Sequence, residues 1–260
     1  GSEMCIRDRT DPTSTWDKEW INKGWIMRYS YVDSNGSTVY ANYLNPGIAE
    51  VSEHVLGVAT EIVDGYDIDG LIIDDYFYPN GIPRNSTAAD YTTYTSSGTD
   101  MSLEDWRRDN VNRMVASIYN MIQQHKPDVR FGIGPPGVAG ASASTLGFPA
   151  VPSGVTADDW QYNGQFTDPL QWLKSGTIDF ISPQIYWTRN HSTAPFGPLT
   201  DWWSRCAAQV NRHHYASHTI SAFSSANTES NWSERVEQIK LNRQYTRNNA
   251  PGFCLFLSLI

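Results

Sequence analysis

Tyr66-Asp67-Ile68-Asp69-Gly70-Leu71-Ile72-Ile73-Asp74-Asp75-Tyr76-Phe77-Tyr78-Pro79 is the stretch that decides the fold of this chain. Ile68 to Ile73 is short and almost wholly apolar, which suits a strand covered on both faces. It ends in two adjacent acids, an expensive arrangement beside an apolar strand unless they are used or paired. Side chains alternate along a strand, so Ile72, Asp74 and Tyr76 share one face and Asp75 tends to the other. A carboxylate at the C-terminal end of such a strand sits where (β/α)8 barrels keep their catalytic groups. The plainer alternative is an aspartate that caps a helix or braces a loop.

Upstream, Pro46 is expected to open a helix with Ile48, Val51, Val55, Val58, Ala59 and Ile62 at helical spacing and Gly65 near its stop. Residues 10–45 are polar and aromatic. Trp25 to Val32 reads as a short strand or an irregular segment, and Asn35-Gly36 as a turn. Downstream, Asn80 to Asp100 is a long polar excursion, of the kind that is usually functional or mobile. Ser102 and Asp105 then resemble a capping box before a helix with Val111, Met114, Val115, Ile118 and Ile122 on one face, closing before Pro127.

Further strands are expected at Val129–Ile133, within Ile178–Trp187 together with its mouth loop, at Thr219–Phe223 and at Phe253–Leu257. Residues 138–165 read as loop. Helices follow from Asp168-Pro169 to Gly176, from a Thr200 cap through Trp203 to Val210, and from Ser233 to Tyr245. Strands alternating with helices imply an α/β fold with a parallel sheet. A closed barrel needs eight strands, whereas these segments supply five.

The 260 residues, 40% of them hydrophobic, suffice for the core of one domain. A net charge of −9 without a basic stripe argues against a nucleic-acid partner. The loosely basic run from Arg205 to His214 reads as a solvated helix face. No stretch is long and apolar enough to span a membrane, and no signal peptide is visible. The three cysteines, Cys5, Cys206 and Cys254, have neither disulfide-framework nor metal spacing. His213-His214 diverge on a helix, and no cysteine cluster is present, so no metal and no cofactor are expected. Neither a Gly-x-Ser-x-Gly elbow nor a phosphate-cradling glycine loop occurs.

Ten Trp, 14 Tyr and 9 Phe, many beside acids and amides, suit sugar recognition by flat apolar faces with polar rims. The bland alternative is ordinary core. Gly1-Ser2 reads as a cloning scar, and Ser2 to Arg9 resembles a translated sequencing adapter of metagenomic assemblies. Residues 1–10 are therefore expected to be non-native, and 11–260 to form the domain.

The Asp69 to Pro79 stretch resembles the bacterial glycosyl hydrolase-like 10 family, whose hallmark strand ends Asp-Asp-Tyr-Phe-Tyr-Pro. Tyr43–Val51, Asp105–Arg113 and Ile178–Trp187 resemble further blocks of that family in the same order, so the likeness covers about residues 40–260. It implies a (β/α)8 TIM barrel of which this chain holds strands four to eight, without the first three. An incomplete barrel would leave the edges of strands four and eight unpaired. The resemblance also implies a glycosidase of bacterial cell-wall (peptidoglycan-type) polysaccharide, extracytoplasmic and often carried as a lipoprotein.

Asp69-Gly70 followed by Asp74 is similar to the fourth strand of the α-amylase clan, whose later Asp is the nucleophile. Asp74 is accordingly expected as nucleophile or charge stabiliser, with Asp75 the nearest second carboxyl and Glu104, Asp105, Asp158 and Asp159 weaker candidates. Tyr76 and Tyr78 are expected to line the cleft with Gln184, Tyr186 and Trp187, which offer an amide, a phenol and a stacking ring. Trp106, Arg107, Arg108 and Asn110 are expected to bind substrate or position these groups. The alternatives are a glycan-binding barrel without turnover and a metal-dependent polysaccharide deacetylase.

The fifth strand reads Gly132-Ile-Gly-Pro-Pro-Gly137 where the family has Ile-Ser-Pro-Phe-Gly, and the seventh lacks the usual Gly-Gln-Ala. The chain stops at Leu259-Ile260, before the family's closing helix.

Overall fold

A computed structural model describes residues 7–8, 15–32, 35–74, 77–156, 160–219, 229–248 and 252–256. The chain opens with the two-residue strand β1 (Arg7–Asp8) and helix α1 (Thr15–Asn22). Strands β2 (Ile26–Val32) and β3 (Thr38–Leu44) then pair antiparallel from Ile26↔Leu44 to Val32↔Thr38. Asn35-Gly36 lies in the connection, and Gly36 adopts φ +79°, which glycine reaches without strain. The second strand of this hairpin was not anticipated, because its alternation is carried by Tyr40, Ala41, Asn42 and Tyr43 rather than by aliphatic residues. Arg7 and Asp8 pair with Tyr43 and Asn42, although they fall within the segment set aside as non-native.

Helix α2 (Ala49–Gly65) buries Val51, Val55, Ala59 and Val63. It does not start at Pro46. The Asn45 side chain accepts from Gly47 N at 2.9 Å, and this local turn holds Pro46 outside the helix. A Cβ on Gly47 would fall 2.3 Å from the Trp106 ring, so the turn packs tightly against the next helix.

Strand β4 (Gly70–Asp74) runs parallel to β5 (Arg130–Gly134), with Asp74 opposite Gly134. It was expected to be covered on both faces. Instead β4 is the outer strand of its sheet, and Ile72 is 45% exposed. The difference arises because only one strand, β5, flanks it among the described residues.

The long excursion after β4 carries helix α3 (Tyr91–Ser96) and leads into α4 (Leu103–His125). Ser102 caps α4 as expected, accepting from Asp105 N at 3.1 Å and donating to the Asp105 carboxylate at 2.8 Å. Val111, Met114, Val115, Ile118 and Ile122 are all buried. The segment read as loop holds the short helix α5 (Ala143–Leu146) and a π-helical turn at Trp160–Gly164. Helix α6 (Pro169–Ser175) begins on its Asp168 cap and ends on Gly176 at φ +71°.

Strand β6 (Phe180–Ile181) pairs with β5 across Gly132, where a Cβ would fall 2.3 Å from the Phe180 ring. Helix α7 (Phe196–Gln209) starts a turn before the expected Thr200 cap, and Thr200 is buried inside it. The start is drawn back because Phe196 and Leu199 bury completely with Trp202 and Trp203.

Strands β7 (His213–His214) and β8 (Ala216–Thr219) follow, separated by Tyr215. The sequence placed this strand at Thr219–Phe223; its paired part lies earlier, and residues 220–223 fall outside the described residues. His213-His214 had read as helical; the pair instead forms a short strand against Phe180 and Ile181, with His213 exposed and His214 half-buried. Arg205 pairs with Asp201 and Arg212 donates to Gly176 O, so the basic run is not simply a solvated face. Helix α8 (Glu229–Gln244) and strand β9 (Phe253–Phe256) complete the described chain.

The strands β4-β5-β6-β7 form one parallel sheet and β8-β9 a parallel pair. Parallel bridges from Gln184 to Pro136 and to Ser217 join the two. The result is an α/β layer whose strands follow chain order from β4 to β9. Its core contains the fully buried Trp172, Trp202 and Trp203, whose indole N–H groups bond Asn112, Pro149 O and Gly137 O. These rings are structural. No helix among the described residues is long and apolar enough to cross a membrane.

One buried group ties stability to pH. Burial pushes His214 down to about 3, with Arg247 and His218 adding repulsion. Its folded value lies below the unfolded value of about 6.5. The stability contributed by the neutral ring is therefore present above about pH 6.5 and is lost as the pH falls toward 3. His218 is shifted the same way, again by burial. Lowering the pH from 7 to 5 should cost about 2 kcal/mol through His214 alone. Urea unfolding of His214→Leu should show a flatter pH dependence; an unchanged slope would contradict this assignment.

Candidate functional site

Parallel strands present their C-terminal ends on one side, and that side gathers the polar groups. Asp74 closes β4, is exposed, and lies in register with Gly134 at the end of β5. A Cβ on Gly134 would fall 3.0 Å from Asp74 Oδ1, so the absent side chain leaves room for the carboxylate. From the next strand path, Gln184 Nε2 donates to Gly134 O at 2.7 Å and to Asp74 Oδ1 at 3.3 Å. The Gln184 backbone is itself held, its N–H donating to Pro135 O at 2.8 Å. Two residues 110 positions apart thus meet across a glycine.

Gly134→Ala should displace the Asp74 carboxylate by a few tenths of an ångström. The expected result is a longer Asp74–Gln184 contact in a crystal structure of the variant, with little change in melting temperature. An unchanged contact would show that this fit is unimportant.

Tyr186 and Trp187 follow Gln184 and are half-buried, and the Trp187 ring lies 5.9 Å from that of His191. Asp75 and Tyr76, expected here as second carboxyl and cleft wall, lie outside the described residues, as do Asp158 and Asp159.

The remaining predicted residues occupy a layer beneath the surface. Tyr78 is fully buried, accepts from Asn110 Nδ2 at 3.4 Å and packs edge-on against Phe166. Burial pushes its phenol far up. Trp106 is buried between Gly47 and Tyr94. Arg107 is fully buried, its guanidinium gripping both Asp90 oxygens at 2.6 and 2.8 Å and donating to Pro83 O at 2.9 Å. Arg108 donates to Tyr162 O at 2.9 Å and to Asp105 at 2.7 Å, with its guanidinium 4.2 Å from the Tyr162 ring.

Tyr78, Trp106, Arg107 and Asn110 are thus all buried. Helix-borne arginines beside an apolar stripe read as surface groups in sequence; the acid that draws Arg107 inward is distant and unmarked. The excursion they hold is tied down further by Tyr29 to Asn80 O, Asn45 to Thr93 and Arg84 to Asn163 O.

Among the weaker carboxyl candidates, Asp105 is held low by hydrogen bonds from Arg108 and then Ser102, and Glu104 lies in the first turn of α4. A different acid has the opposite character. Burial pushes Asp168 up, against hydrogen bonds from Ser142 Oγ at 2.6 Å and Gln171 N at 3.2 Å. The Asp-Pro cap was visible in sequence, but nothing marked its carboxyl as buried.

Known proteins share this chain's pattern. It is 37% identical over 207 residues to the glycosyl hydrolase YngK of Bacillus subtilis (strain 168), covering 78% of this chain and 39% of that protein. The glycosyl hydrolase DigH of Escherichia coli (strain K12) is 36% identical over 163 residues, covering 62% of this chain and 35% of that protein. The chain thus spans well under half the length of these relatives. Among solved structures, α-L-fucosidase isoenzyme 2 from Paenibacillus thiaminolyticus superposes with a TM-score of 0.51 at 13% identity, over 93% of this chain and 32% of that one. That likeness concerns the fold alone. Residues 14–234 match the model of the glycosyl hydrolase-like 10 family, and the chain belongs to that family.

Proposed function

We propose that this chain forms part of the cleft of a glycoside hydrolase acting on bacterial cell-wall, peptidoglycan-type polysaccharide, with Asp74 at the chemistry. The observation that carries the reading is the Asp74–Gln184 contact over Gly134, a carboxylate held at the C-terminal end of a parallel sheet. Membership of the family and the glycosyl-hydrolase relatives support a glycosidic substrate. In this reading β4, β5, β6, β7 with β8, and β9 are the fourth to eighth strands of a (β/α)8 barrel.

Asp74 stabilises an oxocarbenium-like transition state as nucleophile or charge partner. A second carboxyl protonates the leaving oxygen, either Asp75 or a residue outside this chain. It needs about 5–5.5 Å separation for retention or 6.5–9.5 Å for inversion. Trp187 stacks on a sugar ring, Tyr186 and Gln184 supply polar contacts, and Tyr76 lines the cleft. Tyr78, Asn110, Trp106, Arg107 and Arg108 support these groups from beneath. No metal or cofactor takes part, and the protein acts outside the cytoplasm.

The test is incubation of the full-length protein with peptide-free peptidoglycan glycan strands, scored by new reducing ends. Cleavage that survives chelators and disappears in Asp74→Asn is the expected result. Binding without cleavage would favour a glycan-binding barrel, and loss of activity to chelators a metal-dependent deacetylase.

A further inference from the structure

Helix α8 is predominantly polar, yet it docks on the sheet. Its inward stripe is Glu234, Gln238 and Asn242, spaced four apart and so stacked on one helix face. Gln238 and Asn242 are buried. What they contact is a hydrogen-bonded chain with one consistent polarity. Arg189 donates twice to Glu234, from its backbone N at 2.7 Å and from Nε at 2.9 Å. Gln238 Nε2 spends its two protons on Glu234 Oε1 at 3.0 Å and on Trp187 O at 3.1 Å.

Gln238 Oε1 must then accept, which places the proton of His218 on Nδ1, 3.2 Å away. His218 Nε2 is left to accept from Asn242 Nδ2 at 2.6 Å. Each of these contacts pairs a donor with an acceptor when His218 is in its neutral Nδ1–H form. A network with one allowed arrangement fixes the backbone it touches, and here it touches Trp187 and Arg189.

We infer that Glu234, Gln238, Asn242 and His218 form a clamp that positions the Trp187 ring for substrate, making them positioning residues for specificity. The inference rests on the reading that Trp187 stacks on a sugar. Its reach is limited to ground-state binding, because none of the four touches Asp74 or Gln184 in the bonds described.

The test uses the full-length protein and soluble peptide-free glycan strands. Glu234→Ala should raise KM about fivefold to tenfold while kcat stays within twofold. Glu234→Gln, which keeps an acceptor for Arg189 N, should recover most of the loss. Trp187→Ala should raise KM by a similar factor, and adding Glu234→Ala to it should bring no further rise. Circular dichroism confirms that each variant folds, and Glu234→Gln keeps the test decisive if Glu234→Ala does not. An unchanged KM in Glu234→Ala beside a raised one in Trp187→Ala would overturn the clamp alone. Equal losses in kcat, or multiplying effects in the double variant, would also overturn it. An unchanged KM in Trp187→Ala would overturn the stacking reading and the clamp with it.

Discussion

Asp74→Asn should lower kcat by roughly 10⁴-fold, the scale seen when a catalytic aspartate is changed to asparagine, while KM changes less than about threefold. The substitution is nearly isosteric. Gly134 still leaves the space that the side chain occupies, and Gln184 Nε2 can still donate to an amide oxygen at the position of Asp74 Oδ1. Fold and ground-state binding should therefore survive. What disappears, on the function proposed, is the negative charge that would stabilise the developing oxocarbenium ion or attack it. A glycan-binding assay beside single-turnover cleavage separates the two effects. Turnover within tenfold of the original would remove Asp74 from the chemistry, and loss of binding together with turnover would indicate a collapsed cleft.

The second large effect is on stability. Arg107→Met should destabilise the protein by about 3–5 kcal/mol, because it leaves the Asp90 carboxylate buried without its cation. For a chain of this size that corresponds to a fall of roughly 10 °C in melting temperature. The pair is bidentate, both side chains are fully shielded, and the same guanidinium holds Pro83 O. Losing it should also release the excursion that carries α3. Pairing Arg107→Met with Asp90→Leu should recover part of the loss, since no lone charge then remains inside. Arg107→Lys should not rescue, because an ammonium cannot reproduce the two parallel bonds. Calorimetry on the three variants checks this. A single variant as stable as the parent would mean that Asp90 finds water or another partner.

Much of the local structure follows from short spacings. The Ser102 cap with Asp105, the Asp168 cap with its proline, and Gly176 at the helix end were all legible, because each depends on groups within a turn of one another. The buried face of α4 was legible for the same reason. The Asn35-Gly36 turn was visible, but its hairpin partner was not. Helix starts failed where a local turn at Asn45 or the packing of Phe196 overrode the nearer signal. Around the candidate site, Asp74 and Gln184 could each be named from strand endings. Their contact could not, nor could the burial of Arg107 with Asp90.

By itself, then, the sequence determined the alternation of strands and helices, the caps that start α4 and α6, and an acid at the end of β4. These depend on neighbours within a few residues, whose geometry the backbone period already dictates. Only the tertiary structure decided that β4 lies at an edge among the described residues, that Gln184 reaches Asp74 over Gly134, and that α8 docks through amides and a carboxylate. Those outcomes depend on which distant segments become neighbours. Partner choice for a buried charge or amide is fixed by desolvation in the packed state, which no local pattern records.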